Sequence, residues 1–260
     1  MKHKVTASAH VPDPSAIAAA WWDREGDAYL RDNPGIGRTR FQWCPEGWTE
    51  EDLGLIGPQP GKVLEVGAGS APCSRWLAAR GIDVTATDLS RTMLAAAAEL
   101  NDETGISFPL IQADILALPF APGSFDTVFT SFGAIGFIPD LRPAFTGIFE
   151  VLTPGGHWVY AATHPMSWVF PDSPHAQDLR VVRGYGNDEA YVETINGVPD
   201  YAEFSHTVAD HINALTEAGF TDLHVLEPMW KDGGTWGAWG PDRNTVLPGT
   251  LIVSARRPAR

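Results

Sequence analysis

The chain has 260 residues, 44% hydrophobic and 19% charged, a composition that fits a globular core and argues against intrinsic disorder. Its formal net charge of -14 and isoelectric point near 4.8 repel phosphate backbones and anionic lipid, so nucleic acid and membrane surfaces are not expected partners. The two cysteines, Cys44 and Cys73, stand in no CxxC or metal-ligand spacing and read as free thiols of a reducing compartment, with no metal site.

The first 12 residues carry lysines without an apolar stretch behind them; they read as a loose end rather than a signal peptide. No apolar run approaches the ~20 residues of a spanning helix, so a cytoplasmic protein is expected. From Pro14 to Leu30 the apolar spacing is helical, with Ser15 as the expected cap. Thr49 to Leu55 suggests a short helix. Lys62 to Gly67 then reads as a buried strand, Ser70 to Arg80 as a helix stopped at Gly81, and Ile82 to Thr87 as a second strand. Ser90 caps a helix to about Leu100; strands are expected at Ile106 to Gln112 and Ser124 to Ser131. A helix from Leu141 to Leu152 stops at Pro154-Gly-Gly156, before a strand at His157 to Ala162. After a segment without clear period, 164–204, come a helix at Ser205 to Ala218 and strands at Phe220 to Leu226 and Thr250 to Ala255. The piece 231–248 between those strands is rich in Gly and Trp.

Strands alternating with helices predict an α/β fold, a mostly parallel sheet covered by helices on both faces. The chain divides into an N-terminal helical cap, 1–50, and one α/β domain, 51–260, with insertions at about 164–204 and 231–248. Loops of that length are more often functional than accidental.

The most informative run is Glu65-Val-Gly67-Ala-Gly69-Ser-Ala-Pro72. A strand enters a turn where two glycines let the backbone approach a ligand, and a helix N-terminus follows. Asp88 lies 21 residues after Gly67, at the end of the next strand, where a carboxylate can accept hydrogen bonds from both hydroxyls of a ribose. Pro72 replaces the third glycine of a dinucleotide fingerprint. Glu65 puts negative charge near the turn, which suits an ammonium or sulfonium better than a pyrophosphate.

Taken in order, the motifs resemble those of class I S-adenosylmethionine-dependent methyltransferases. Val63-Leu-Glu-Val-Gly-Ala-Gly-Ser70 is similar to the first motif and Thr85-Ala-Thr-Asp88-Leu-Ser to the second. Gln112-Ala-Asp114-Ile-Leu-Ala-Leu-Pro-Phe120, Ser124-Phe-Asp126-Thr-Val-Phe and Val151-Leu-Thr-Pro-Gly-Gly156 resemble the third, the fourth strand and the turn before the fifth. The resemblance is close over 50–163, nearest to the quinone-biosynthesis-type, methyltransferase type 11 branch. It implies a Rossmann-like sheet of seven strands, the last antiparallel, and S-adenosylmethionine as cofactor.

The resemblance also implies site residues. Gly67, Ala68 and Gly69 admit the methionine portion, with Glu65 beneath them. Asp88 holds the ribose and Leu89 packs on adenine. Asp114 accepts from the adenine amino group, Ile115 stacks near the ring, and Ser131 and Phe132 face the methionine. For Leu89 and Ile115 a plain core role is an alternative, and for Asp88, Asp114 and Ser131 a capping or turn role.

Ligands of open α/β sheets bind outside the carboxyl ends of the strands. His164, directly after the fifth strand, is therefore the candidate general base of the reaction. Trp22, Tyr29, Trp43, Trp168, His206 and Trp236 are candidate pocket residues for a small-molecule acceptor. The sequence leaves the methylated atom (oxygen, nitrogen or carbon) and the oligomeric state open. Two other readings remain at this point: an NAD-dependent oxidoreductase, and a catalytically silent cofactor-binding regulator.

Overall fold

The computed structural model describes residues 3–5, 11–33, 38–231, 235–236 and 239–259. The elements in chain order are β1 (His3–Val5), α1 (Pro14–Asp32), α2 (Glu50–Leu53), β2 (Val63–Val66), α3 (Pro72–Ala78), β3 (Val84–Asp88), α4 (Arg91–Thr104) and β4 (Leu110–Gln112). They continue as β5 (Phe125–Thr130), α5 (Leu141–Val151), β6 (Leu152–Thr163), β7 (Tyr191–Ile195), β8 (Val198–Glu203), α6 (Val208–Ala218), β9 (Thr221–Leu226), α7 (Pro241–Asn244) and β10 (Thr250–Arg256).

Seven strands form one sheet in the order β4-β3-β2-β5-β6-β10-β9. The neighbours from β4 to β6 are parallel, and β10 runs antiparallel to both β6 and β9. The expected Rossmann-like sheet with an antiparallel last strand is therefore the fold of this chain.

Alternation along the strands explains the two covered faces. Leu64, Val66, Val128, Trp158 and Tyr160 point to one side, where Phe145 and Ile148 of α5 and Leu215 of α6 meet them. Val63, Val84, Phe129, Val159 and Ala161 point to the other, against Cys73 and Leu77 of α3 and the irregular segment holding Phe41 and Trp43. Both faces of the central strands are apolar because neither sees water.

Several boundaries differ from expectation for local reasons. The cap of α1 is Asp13, whose side chain accepts from the Ala16 N–H, 3.0 Å away, rather than Ser15. α3 starts at Pro72, which occupies the first turn where its missing N–H costs nothing. The Pro154-Gly-Gly156 run does not separate α5 from the next strand. It is part of β6, and Gly155, at φ +83°, donates to the Arg257 carbonyl.

The aperiodic stretch 164–204 holds a second sheet. β7 and β8 form an antiparallel hairpin, and β1 adds to it in the order β1-β7-β8. His3–Val5, read from sequence as part of a loose end, is thus a strand; the rest of 1–10 lies outside the described residues. The hairpin turns at Asn196 (φ +54°) and Gly197 (φ +80°), the Asn-Gly pair that two-residue turns favour.

Candidate active site

β2 delivers the chain to Gly67 at φ +67° and Gly69 at φ +57°. A Cβ on Gly67 would stand 2.6 Å from the Ala134 Cβ, so both the backbone conformation and the close approach of the post-β5 loop require glycine there. The loop is held from below. The Ala68 N–H donates to the Thr87 carbonyl, and the Gly69 N–H donates to Asp88 Oδ2 at 2.7 Å.

Asp88 also accepts from the Ser90 N–H through Oδ1, 2.8 Å away. Its two oxygens are fixed by the chain itself, and a carboxylate oxygen has lone pairs left for a ligand hydroxyl. Burial, partly offset by these N–H groups, raises its pKa, and Asp23 nearby adds to the rise. Asp114 caps the 3-10 turn Ile115–Ala117 by accepting from the Leu116 N–H at 2.9 Å. Asp114 is therefore a cap and Asp88 a turn residue, the structural roles the sequence allowed, and both nonetheless stand on a cavity wall.

That cavity has a volume of about 410 Å³, within the ~300–1,000 Å³ usual for small-ligand sites. Gly67, Ala68, Gly69, Asp88, Leu89, Asp114, Ile115, Ser131 and Phe132 all line it. Phe132 has φ +128°, an unusual conformation for a bulky residue and one that functional sites tend to retain. It turns the chain sharply out of β5, so that residues 131–138 fold over the rim.

The opposite wall comes from outside the sheet. α1 contributes Ala18, Trp21, Trp22 and Tyr29, and β8 contributes Tyr201 and Glu203. Their rings meet edge to face: Trp21 with Trp22 at 4.9 Å, Trp22 with Tyr29 at 5.0 Å, Trp22 with Phe137 at 6.0 Å and Tyr29 with Trp236 at 6.3 Å. α1 is fastened to the nucleotide side. Asp23 accepts from the Ser90 hydroxyl at 2.7 Å and from the Thr92 N–H at 3.2 Å. Gly26 lies so near Met93 that a Cβ would come within 2.9 Å of its sulfur. Arg24 pairs with Asp200 of β8 at 2.8 Å, joining helix and hairpin.

Five residues singled out from sequence stand elsewhere. Glu65 is 1% exposed and lies behind the wall, accepting from the N–H and hydroxyl of Ser74 in α3. Burial pushes its carboxyl up to about 8, despite the Ser74 bonds. Trp43 is buried in the core against Phe41 and Phe129, and its ring N–H donates to Glu50. Trp168 sits behind the hairpin against Tyr191 at 6.2 Å. The His206 ring donates through Nε2 to the Ile138 carbonyl at 2.7 Å.

His164 is 3% exposed, off the cavity wall, and both its ring nitrogens are used. Nδ1 accepts from the Met166 N–H, which places the proton on Nε2, where it is donated to Glu227 at 2.8 Å. Burial lowers its pKa. A histidine so engaged caps the turn after β6 and is not free to take a substrate proton.

Residues absent from the sequence reading complete the wall: Arg40, Phe137, Tyr201 and Glu203. For the last two the signal was the Asn-Gly turn. Tyr-x-Glu flanks it on both strands, at 191–193 and 201–203.

A parallel sheet with this strand order, a glycine turn after β2 and acids beyond β3 and β4 define an α/β nucleotide-binding protein. Comparison narrows the class. Residues 63–156 match the model of a methyltransferase domain. The chain is 30% identical over 269 aligned residues to a ubiquinone biosynthesis O-methyltransferase of Psychrobacter arcticus, covering 93% of this chain and 96% of that one. A demethylmenaquinone methyltransferase of Renibacterium salmoninarum is 33% identical over 173 residues, covering 63% of this chain and 71% of that one. Among solved structures, an S-adenosylmethionine-dependent methyltransferase of Mesorhizobium loti superimposes with a TM-score of 0.60 at 26% identity, over 79% of this chain and 95% of that one.

The chain belongs to the class I S-adenosylmethionine-dependent methyltransferases. It is an enzyme, its cofactor is S-adenosylmethionine, and its reaction is methyl transfer to a small-molecule acceptor. This sets aside both the oxidoreductase and the silent regulator. Among the described residues no helix is long and apolar enough to cross a membrane.

The residues present suit the cofactor. Two oriented carboxylates match a ribose and an adenine amino group. Arg40 is the one Lys or Arg on the described wall and matches a carboxylate. Thr130 Oγ1, buried beneath Gly67, has no hydrogen-bond partner among the described residues.

Proposed function

We propose that the cavity holds both reactants: the cofactor along the carboxyl ends of β2, β3 and β4, and a small-molecule acceptor beneath α1 and the β7–β8 hairpin. The observation that carries this reading is that one cavity is lined on one side by Gly67, Asp88 and Asp114 and on the other by rings from α1 and β8. On this reading residues 1–50 and the insertion 164–204 act as the acceptor-side cap, and the protein works in the cytoplasm.

Asp88 takes the ribose hydroxyls. Asp114 takes the adenine amino group, with Leu89 and Ile115 on the ring faces. The Gly67–Gly69 turn admits the methionine chain, Ser131 and Phe132 flank it, and Arg40 pairs with its carboxylate. When bound, S-adenosylmethionine supplies an electrophilic methyl group on a sulfonium. The protein's own part is to align the acceptor with it and to keep water out, both of which contribute to rate. The aromatic wall serves the second task.

The test is calorimetric titration of S-adenosylmethionine into wild type, Asp88→Ala and Asp88→Asn. Each hydrogen bond to a charged group contributes roughly 1.5–3 kcal/mol, so Asp88→Ala should bind roughly ten- to a hundredfold more weakly. The Asn variant keeps the shape and separates loss of charge from loss of the Gly69 contact. Unchanged affinity in both variants would remove Asp88 from the site.

A further inference from the structure

Transfer to an unspecified acceptor gives no task to the polar pair on β8. Tyr201 and Glu203 both line the acceptor half of the cavity, and the Tyr201 hydroxyl donates to the Glu203 carboxylate. The pair belongs to a four-residue face of the hairpin: Tyr191 stands opposite Glu203 and Glu193 opposite Tyr201. The Tyr191 hydroxyl is 2.7 Å from Glu193 Oε1.

The strand end is fixed to the rim of the large sheet. The Phe204 N–H donates to the Gly136 carbonyl at 2.8 Å, and a Cβ on Gly136 would lie 3.6 Å from Glu203 Oε1. The carboxylate is therefore held beside the loop that follows β5. Around the Tyr201 ring stand Trp21, at 4.9 Å, and Phe137, at 5.7 Å, and both line the same cavity as Glu203.

Ring faces carry negative potential and attract cations. A carboxylate among such faces selects for positive charge and against a phenolate, because like charges are costly in a desolvated site. Burial pushes the Glu203 carboxyl up to about 7, with Asp172 and Glu193 adding to the rise and the Tyr201 hydroxyl opposing it. A base that titrates near neutrality suits proton transfer at working pH.

We propose that the acceptor is a small ring-bearing amine, with Glu203 as the residue that pairs with its ammonium form and then takes its proton. This rests on the methyl-transfer reading above. The N–H proton passes to the carboxylate and leaves a neutral amine. The nitrogen lone pair then forms the N–C bond as the methyl C–S bond breaks, its electron pair staying on sulfur. The proton on Glu203 leaves to solvent. Net, an ammonium and a sulfonium become an N-methylammonium, a thioether and one proton.

The test measures binding, using protein saturated with S-adenosylhomocysteine. Phenethylamine and 2-phenylethanol, and tryptamine and tryptophol, are titrated by calorimetry from pH 6 to 9. The wild type should prefer each amine to its alcohol by at least tenfold. Glu203→Gln should erase that preference while binding S-adenosylhomocysteine as the wild type does. Tyr201→Phe should retain the preference but move its pH midpoint upward, because the carboxylate loses a donor. The charged and titratable groups facing Glu203 are Tyr201 on its own strand, Tyr191 and Glu193 on β7, and Asp172. Across the cavity stand Tyr29, Arg40, Asp88 and Asp114. Equal affinity for amine and alcohol in the wild type, no binding of either, or a preference that survives in Glu203→Gln overturns the proposal. Failure of the wild type to bind S-adenosylhomocysteine contradicts the methyl-transfer reading itself, so the two failures are distinguishable.

Discussion

At the scale of single residues, the acids near the glycine turn have divided tasks. Asp88 and Asp114 face the cavity, whereas Glu65 faces the interior and fastens the first turn of α3 through Ser74. Strand alternation accounts for the difference, since Glu65 shares a face with Val63 and pairs across the sheet with Ala86. This has a pH consequence. The folded-state pKa of Glu65 is raised to about 8 from 4.5, so its contribution is fully present below pH 4.5 and is lost as pH rises through about 8. Glu65→Gln keeps an acceptor for the Ser74 N–H and has no charge to desolvate. Thermal melts from pH 5 to 9 should therefore show a wild type that loses stability relative to Glu65→Gln as pH rises. Parallel curves would mean that the carboxyl ionises without penalty. That Gly67, Asp88 and Asp114 line one cavity was legible because each occupies a fixed place relative to a strand end. His164 was misjudged because chain position at a strand end does not reveal that both ring nitrogens are already engaged.

At the scale of elements, the strand–helix alternation was readable because buried parallel strands and amphipathic helices have different periods. The hairpin β7–β8 was harder. Val198-Pro-Asp-Tyr-Ala-Glu203 contains a proline and alternates only weakly, and the one strand added to the hairpin, β1, comes from the first residues of the chain. The docking of α1 was not legible at all, since it depends on Asp23 meeting the N-terminus of α4, 67 residues away in sequence. A carboxylate accepting N–H and O–H groups at a helix start is worth about 1 kcal/mol. Asp23→Ala should thus loosen α1 and accelerate S-adenosylhomocysteine dissociation by roughly fivefold, measurable by stopped-flow tryptophan fluorescence. Gly26→Leu, which drives a side chain into Met93, should have a larger effect in the same direction. Dissociation rates unchanged in both would show that α1 does not gate the cofactor.

At the scale of the whole molecule, the seven-stranded sheet carries one wall of the cavity, and α1 and β8 carry another, the part proposed above as a cap. The large sheet buries both faces, whereas α1 buries only Ala18 and Gly26 of its own residues and packs its rings along the cavity. Regions with fewer buried contacts open more readily. Hydrogen exchange should be slowest in β2, β5, β6 and β10 and faster in α1 and β8, and S-adenosylhomocysteine should slow exchange in α1 by at least tenfold. If α1 already exchanges as slowly as β5 in the free protein, the cap is an integral part of the core. The strands of the large sheet could be anticipated because each is legible in its local pattern; the small sheet could not, because it joins the first residues of the chain to an insertion some 190 positions later.

α1 is anchored to the start of α4 through Asp23 and Gly26 and lines the cavity through Trp21 and Trp22, so on the proposed reading one helix borders the places of both reactants. On that reading both products share one door, and the first to leave disturbs the surface that retains the other; a kcat that falls as solvent viscosity rises would mark the exit as the slow step.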